Sequence, residues 1–149
     1  MSRTRGFEVV PEKFKKNGKA KLPVRASLYS MAYDFYSPID VDVKPGEVAK
    51  IWTDINVYMR NDECLILNVR SSMGGKFMLA NTQGWIDADY YMNPDNGGNI
   101  GIFLKNISNK VLSVHKGDRI AQGAFFRFLV ADNCNSENER NGGFGSTGK

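Results

Sequence analysis

"PIDVDVKPGE", Pro38 to Glu47, decides the fold class. Ile39, Val41 and Val43 alternate with Asp40, Asp42 and Lys44, and Pro45-Gly46 closes the run. A period of two puts the apolar side chains on one side of an extended chain and the charged ones on the other. The stretch therefore reads as a half-buried strand ending in a turn. The same texture continues outward through "VAKIWTDINVYM" (48–59), "CLILNVR" (64–70), "NIGIFLKNI" (99–107), "KVLSV" (110–114) and "GAFFRFLVA" (123–131). These runs are rich in β-branched and aromatic residues and are separated by clusters of Gly, Asn, Asp and Ser. No helical periodicity extends beyond a couple of turns, and no internal repeat is evident. Many short strands with frequent turns predict an all-β sandwich, barrel or jelly roll.

The chain has 149 residues, 42% of them hydrophobic and 24% charged, which suits one ordinary globular domain. No stretch has the length of an apolar membrane span, and "MSRTRGFEVV" lacks the apolar core of a leader, so a cytoplasmic protein is expected. A net charge of +4 permits anion binding. Basic residues are thinly spread outside "PEKFKKNGKAK" and are not interleaved with aromatics, so nucleic acid is not expected as a partner. Cys64 and Cys134 have neither metal-ligand spacing nor a disulfide framework; one buried and one exposed thiol are expected. The single histidine, His115, precedes Lys116-Gly117-Asp118 and reads as a solvated turn residue, which removes most histidine-based chemistry. Asp118 and Arg119 suggest an ordinary turn salt bridge.

Beyond Ala131 the composition becomes polar and glycine-rich, predicting a mobile arm (132–149) on a β domain (1–131). The arm ends in "RNGGFGSTGK", which satisfies two phosphate-binding glycine patterns at once. Both patterns normally deliver phosphate to a helix N-terminus, and too few residues follow here to build one. Two further stretches place chemistry-bearing groups near strands. In "ANTQGWIDADYY", a glycine and two apolar residues precede Asp87, with Tyr90 three positions on, as a tight hairpin would present a carboxylate and an aromatic to one pocket. Taken alone, Asp87 as a turn carboxylate and Tyr90 as a strand aromatic are equally ordinary readings. In "NVRSSMGGK", Arg70 leaves an apolar strand ahead of Ser71 and Ser72; its fork of donors and their hydroxyls suit phosphate oxygens.

In order along the chain, "YSMAYDFYS", "RSS", "GWIDADY", "GDRIAQ" and "GGFGSTG" resemble the five signature regions of the trimeric dUTPase family, in its bacterial or phage-like form. The resemblance runs from about Leu22 to Lys149. It implies a jelly-roll-like, distorted β-barrel, assembled as a homotrimer, that hydrolyses dUTP to dUMP and pyrophosphate with Mg2+. It implies that Asp87 is the general base on the attacking water and that Tyr90 packs on the deoxyribose. Asn81 opens the hairpin that reads the uracil edge. Arg70, Ser71, Ser72 and Gln122 contact phosphates, and Asp34 touches the hydration shell of a magnesium ion held by the triphosphate. On the same resemblance Arg140 would meet the terminal phosphate, Phe144 would stack on uracil, and Gly145, Ser146, Thr147 and Gly148 would wrap the β and γ phosphates. The arm then needs no helix, because it closes over a neighbouring subunit's site as a lid whose backbone N–H groups cradle the anion. A dCTP deaminase of the same fold is the nearest enzymatic alternative, disfavoured by the complete glycine lid and by Tyr90. A regulatory protein-binding role with weak or lost catalysis is the alternative from another class, and the insertion "MNPDNG" (92–97) is where a protein partner would be sought.

Overall fold

The computed structural model describes residues 2–134, Arg140, Gly142 and Gly143. It is an all-β, jelly-roll-like barrel of short strands with three single 3₁₀ turns. In chain order the strands are β1 (Gly6–Val9), β2 (Val24–Arg25), β3 (Tyr33–Tyr36), β4 (Val41–Val43), β5 (Val48–Trp52) and β6 (Ile55–Tyr58). They continue with β7 (Glu63–Asn68), β8 (Phe77–Leu79), β9 (Gly84–Asp87), β10 (Gly101–Asn106), β11 (Leu112–Val114) and β12 (Arg119–Arg127). The principal sheet has the order β2-β3-β12-β7-β9. Facing it are β5-β10-β8 and the pairs β1-β6 and β4-β11.

The alternation seen in the sequence sets which residues face inward. In β7, Glu63, Leu65 and Leu67 are buried, and in β10, Ile102, Leu104 and Asn106 are. They join Phe35, Ile51, Ile55, Val57, Ile86 and Ile120 in one core. The two inward polar residues are satisfied. Glu63 accepts from Arg5 Nε at 2.6 Å and Nη2 at 3.0 Å, and Asn106 Nδ2 donates to the carbonyls of Val43 and Lys110 at 2.7 and 2.8 Å. A buried group without such partners would lose its hydration and gain nothing in return.

The run 48–59 is not one strand but two. Asp54 interrupts it with a φ of 59°, so β5 pairs with β10 while β6 pairs with β1. The left-handed residue is held by its own fully buried carboxylate, which accepts the backbone N–H groups of Lys16 and Asn17 at 2.8 and 2.7 Å and Asn99 Nδ2 at 2.8 Å. Strands that change sheet at such a corner close the barrel without a long connection. Among the described residues no helix is long and apolar enough to cross a membrane.

Candidate active site

The turn after β8 opens the site. Asn81 to Gln83 reverse the chain with Thr82 at a φ of 68°, yet the strands on either side do not form the expected hairpin. β8 pairs with β10, whereas β9 pairs with β7, so the turn is a corner between two sheets. The splayed sheets leave a pocket of about 410 Å³, into which Asn81, Trp85, Asp87, Tyr90, Phe103 and Arg140 project. Gly84 lets β9 approach β7 closely, since a Cβ there would stand 3.0 Å from that of Leu67.

Asp87 ends β9 on its solvent-facing side, in line with the exposed Trp85, while Gly84 and Ile86 face the core. The Asp87 side chain is 62% exposed, and its Oδ2 accepts from Arg140 Nη2 at 2.5 Å. Arg140 Nε donates to Asp89 Oδ1 at 2.9 Å, and the guanidinium stands 5.7 Å from the centre of the Tyr90 ring. Cys64 lies opposite Asp87 on β7 and is half-buried rather than fully so; burial first, and the Asp87 charge second, push its thiol pKa up. It therefore stays a neutral thiol near neutral pH.

Tyr90 is buried, at 4% exposure. Its hydroxyl donates to the carbonyl of Asn99 at 2.6 Å and accepts from Asn96 Nδ2 at 2.8 Å. Burial raises its pKa to about 12, so it remains a protonated donor throughout the neutral range. Asn96 belongs to the insertion, which the sequence suggested as a surface for partners. Within it Asn93 is buried, Met92, Pro94 and Asp95 are exposed, and Asp95 Oδ2 accepts the backbone N–H of Gly143 at 3.2 Å.

A second cluster stands apart from this pocket. Asp34, buried on β3, accepts from Arg70 Nε at 3.0 Å and lies 3.6 Å from Arg119 Nη1. Arg119 thus pairs across the sheet rather than with Asp118, whose carboxylate instead accepts the His115 backbone N–H. Arg70 Nη1 reaches Ser72 Oγ at 3.5 Å, Ser71 is exposed beside it, and Gln122 lies opposite Asp34 in the β12–β3 register. Arg119 was missed as a site residue because an Asp-Arg pair at a turn carries no signal for a partner on another strand. Within β7, Asp87 faces Cys64 and Gln122 faces Asn68. At ~3.4 Å per residue those four residues separate the two clusters by about 14 Å along the strand. None of the second cluster's residues lines the pocket.

The described residues offer no group of His, Cys, Asp or Glu set to enclose a metal. Asp34 already answers two guanidinium groups, so it does not fit an inner-sphere cage. Its carboxylate oxygens keep further acceptor capacity, which fits contact through water with an ion carried on phosphates. His115 is exposed, near Asp40. Phe144, Gly145, Ser146, Thr147 and Gly148 lie outside the described residues.

A solvent-facing carboxylate at a pocket mouth, with the Arg140 guanidinium beside it and no histidine in reach, suits water-activated hydrolysis of a phosphorylated substrate on an all-β scaffold. Comparison with known proteins narrows this class. The dUTPase family model matches residues 18–148. The deoxyuridine 5'-triphosphate nucleotidohydrolase of Lactococcus lactis is 41% identical over 148 residues, covering 97% of each chain, and that of fowlpox virus is 33% identical over 143 residues, covering 91% of this chain and 94% of its own. The crystal structure of the Streptococcus mutans dUTPase superposes with a TM-score of 0.76 at 32% identity, covering 86% of this chain and 99% of that one. The chain belongs to the dUTPase family.

Proposed function

We propose that this protein hydrolyses dUTP to dUMP and pyrophosphate. One observation carries the reading: the Asp87 carboxylate stands exposed at the mouth of a pocket that the buried Tyr90 and the Asn81 turn also line. Those are the positions that the family resemblance makes base, sugar platform and uracil reader. Giving dUMP and pyrophosphate means breaking the bond from the α-phosphorus to the bridging oxygen of the β-phosphate. Asp87 accepts a proton from water as that water attacks the α-phosphorus, and the bridging oxygen leaves with pyrophosphate. Tyr90 packs against the deoxyribose and fixes the α-phosphate relative to the base. Arg70, Ser71, Ser72 and Gln122 hold phosphate oxygens, with Arg70 aimed by Asp34. Asp34 would meet through water a magnesium ion bound with the triphosphate, which would supply neutralisation of phosphate charge.

The working form we propose is a homotrimer with shared sites. Its support is that the base and the phosphate donors of one chain are too far apart along β7 to serve one pocket. The sheet face carrying Asp87 also exposes Trp85 at 73% and Phe126 at 43%, and Leu129, just after β12, is 93% exposed. A second copy would cover such a face. We propose that the arm is a lid closing on a neighbour's site. Here Arg140 and Gly143 contact their own chain's Asp87 and Asp95, and exchanging an arm between identical copies preserves those same contacts.

The deciding experiment is pyrophosphate release with Mg2+ from dUTP, dCTP, dTTP and UTP in parallel, with the product bases identified. Release from dUTP alone, giving dUMP, supports the reading. Conversion of dCTP moves the protein to the deaminase branch, and silence on all four makes a binding role the one to pursue.

A further inference from the structure

The insertion between Tyr90 and β10 has a defined internal order. Asn93 Oδ1 accepts the backbone N–H groups of Asp95 and Asn96 at 3.0 and 3.1 Å, and its Nδ2 donates to the Tyr90 carbonyl at 3.0 Å and to Asn96 Oδ1 at 2.8 Å. Asn96 Oδ1 also accepts the Gly98 N–H at 3.0 Å. With its oxygen occupied by two donors, the Asn96 amide can present only its NH2 to Tyr90, which it does at 2.8 Å. The other side of the hydroxyl is held by the Asn99 carbonyl. Asn99 is itself fixed by a two-way exchange with Asp54, which donates its N–H to Asn99 Oδ1 at 2.9 Å and accepts from Asn99 Nδ2 at 2.8 Å. The far end of the Tyr90 ring is therefore pinned from both sides, one by the insertion and one by the β5–β6 corner.

We infer that Asn96 is a positioning residue that sets the discrimination between deoxyribose and ribose through Tyr90. The inference rests on the reading of Tyr90 as sugar platform. A ring that excludes a 2′-hydroxyl does so by staying where it is, and a ring free to tilt by a few tenths of an ångström would admit it. Two hydrogen bonds at the hydroxyl, the part of the side chain farthest from its Cα, resist that tilt with the longest lever. The insertion thereby acts on specificity from behind the platform, without touching the nucleotide.

The test compares kcat and KM for dUTP and UTP in Asn96→Asp, Tyr90→Phe and the double variant. Asn96→Asp keeps the shape and an acceptor for Asn93 and Gly98, but sets a second acceptor against a hydroxyl that already donates to Asn99. We expect the dUTP-over-UTP ratio of kcat/KM to fall about tenfold, through KM for dUTP and gained UTP turnover, with kcat for dUTP held within about threefold. Tyr90→Phe, which removes only the hydroxyl, is expected to give the same shift, and the double variant no more than either alone. A lowered melting temperature with the ratio unchanged would mean a merely structural loop and overturn the inference. Should Asn96→Asp fail to assemble, an unchanged ratio in Tyr90→Phe overturns it equally. Tyr90→Ala separates the two levels. If its ratio is unchanged, the sugar-platform reading itself fails. If its ratio collapses while those of Asn96→Asp and Tyr90→Phe do not, the platform stands and the role of Asn96 is refuted.

Discussion

Asp87 is an exposed carboxylate and Glu63 a buried one, and each does what its surroundings allow. Asp87 is open to water and paired to one guanidinium, so it can take a proton from a water molecule without first being stripped of a shell of protein donors. Asp87→Asn keeps the shape and removes the basicity; kcat should fall about 10²- to 10⁴-fold while dUTP binding, measured calorimetrically, is retained. Full activity in that variant would remove Asp87 from the chemistry. Glu63 faces the core and is bonded twice by Arg5, whose hydrogen bonds, more than its charge, hold the Glu63 pKa below the usual carboxylate value. A folded-state pKa below the unfolded one means stabilisation that is complete above the unfolded value and lost as pH falls through the folded one. The melting-temperature gap between the wild type and Glu63→Gln should thus be widest near neutrality and close below about pH 4. A gap independent of pH would show that packing, not ionisation, is what Glu63 contributes.

At the scale of elements, strands β7 to β10 line the pocket, while the corner at Asp54 and the insertion at 92–97 fix Tyr90 from behind. Much of the strand pattern was legible: β4, β10 and β11 fall within apolar runs that alternate or are β-branched, β7 begins one residue before its run, and β12 starts four residues ahead of its run and ends at Arg127 rather than Ala131. β1, β2, β3 and β8 were not picked out, because, unlike the equally short β4 and β11, they do not lie in a longer run of alternating or β-branched apolar residues. The break at Asp54 was hidden for a different reason. A left-handed aspartate is tolerable only because Lys16, Asn17 and Asn99, distant in sequence, supply donors to it. The insertion depends on Gly98, where φ is 81° and a Cβ would stand 2.8 Å from the Met92 nitrogen and 3.0 Å from the Tyr90 oxygen. Both neighbours are backbone and cannot rotate away. Gly98→Ala should cost about 2 kcal/mol or more, lowering the melting temperature by about 4–8 °C. An unaltered melting curve would show that the loop is free to rearrange.

For the whole molecule, the prediction concerns how copies share work. Removing residues 142–149 should leave the assembly folded and nearly inactive, since the core formed by the described residues lies before residue 142. Mixing that truncated chain with Asp87→Asn subunits, after unfolding and refolding together, should restore part of the activity. One partner then supplies the carboxylate and the other the lid. No recovery in verified mixed trimers would confine each arm to its own chain. The sequence by itself determined the strand texture, the carboxylate and aromatic in "GWIDADY", and the order of motifs that marks the family, because these depend on residue type and local spacing alone. Only the tertiary structure decided that Asp34 belongs to Arg70 and Arg119, that the insertion turns inward to hold the Tyr90 hydroxyl, and that Asp87 and the Asp34–Arg70 cluster lie far apart along β7. Each of those facts is a contact between segments distant in the chain, fixed by strand register and by buried polar groups that must find partners wherever the fold brings them.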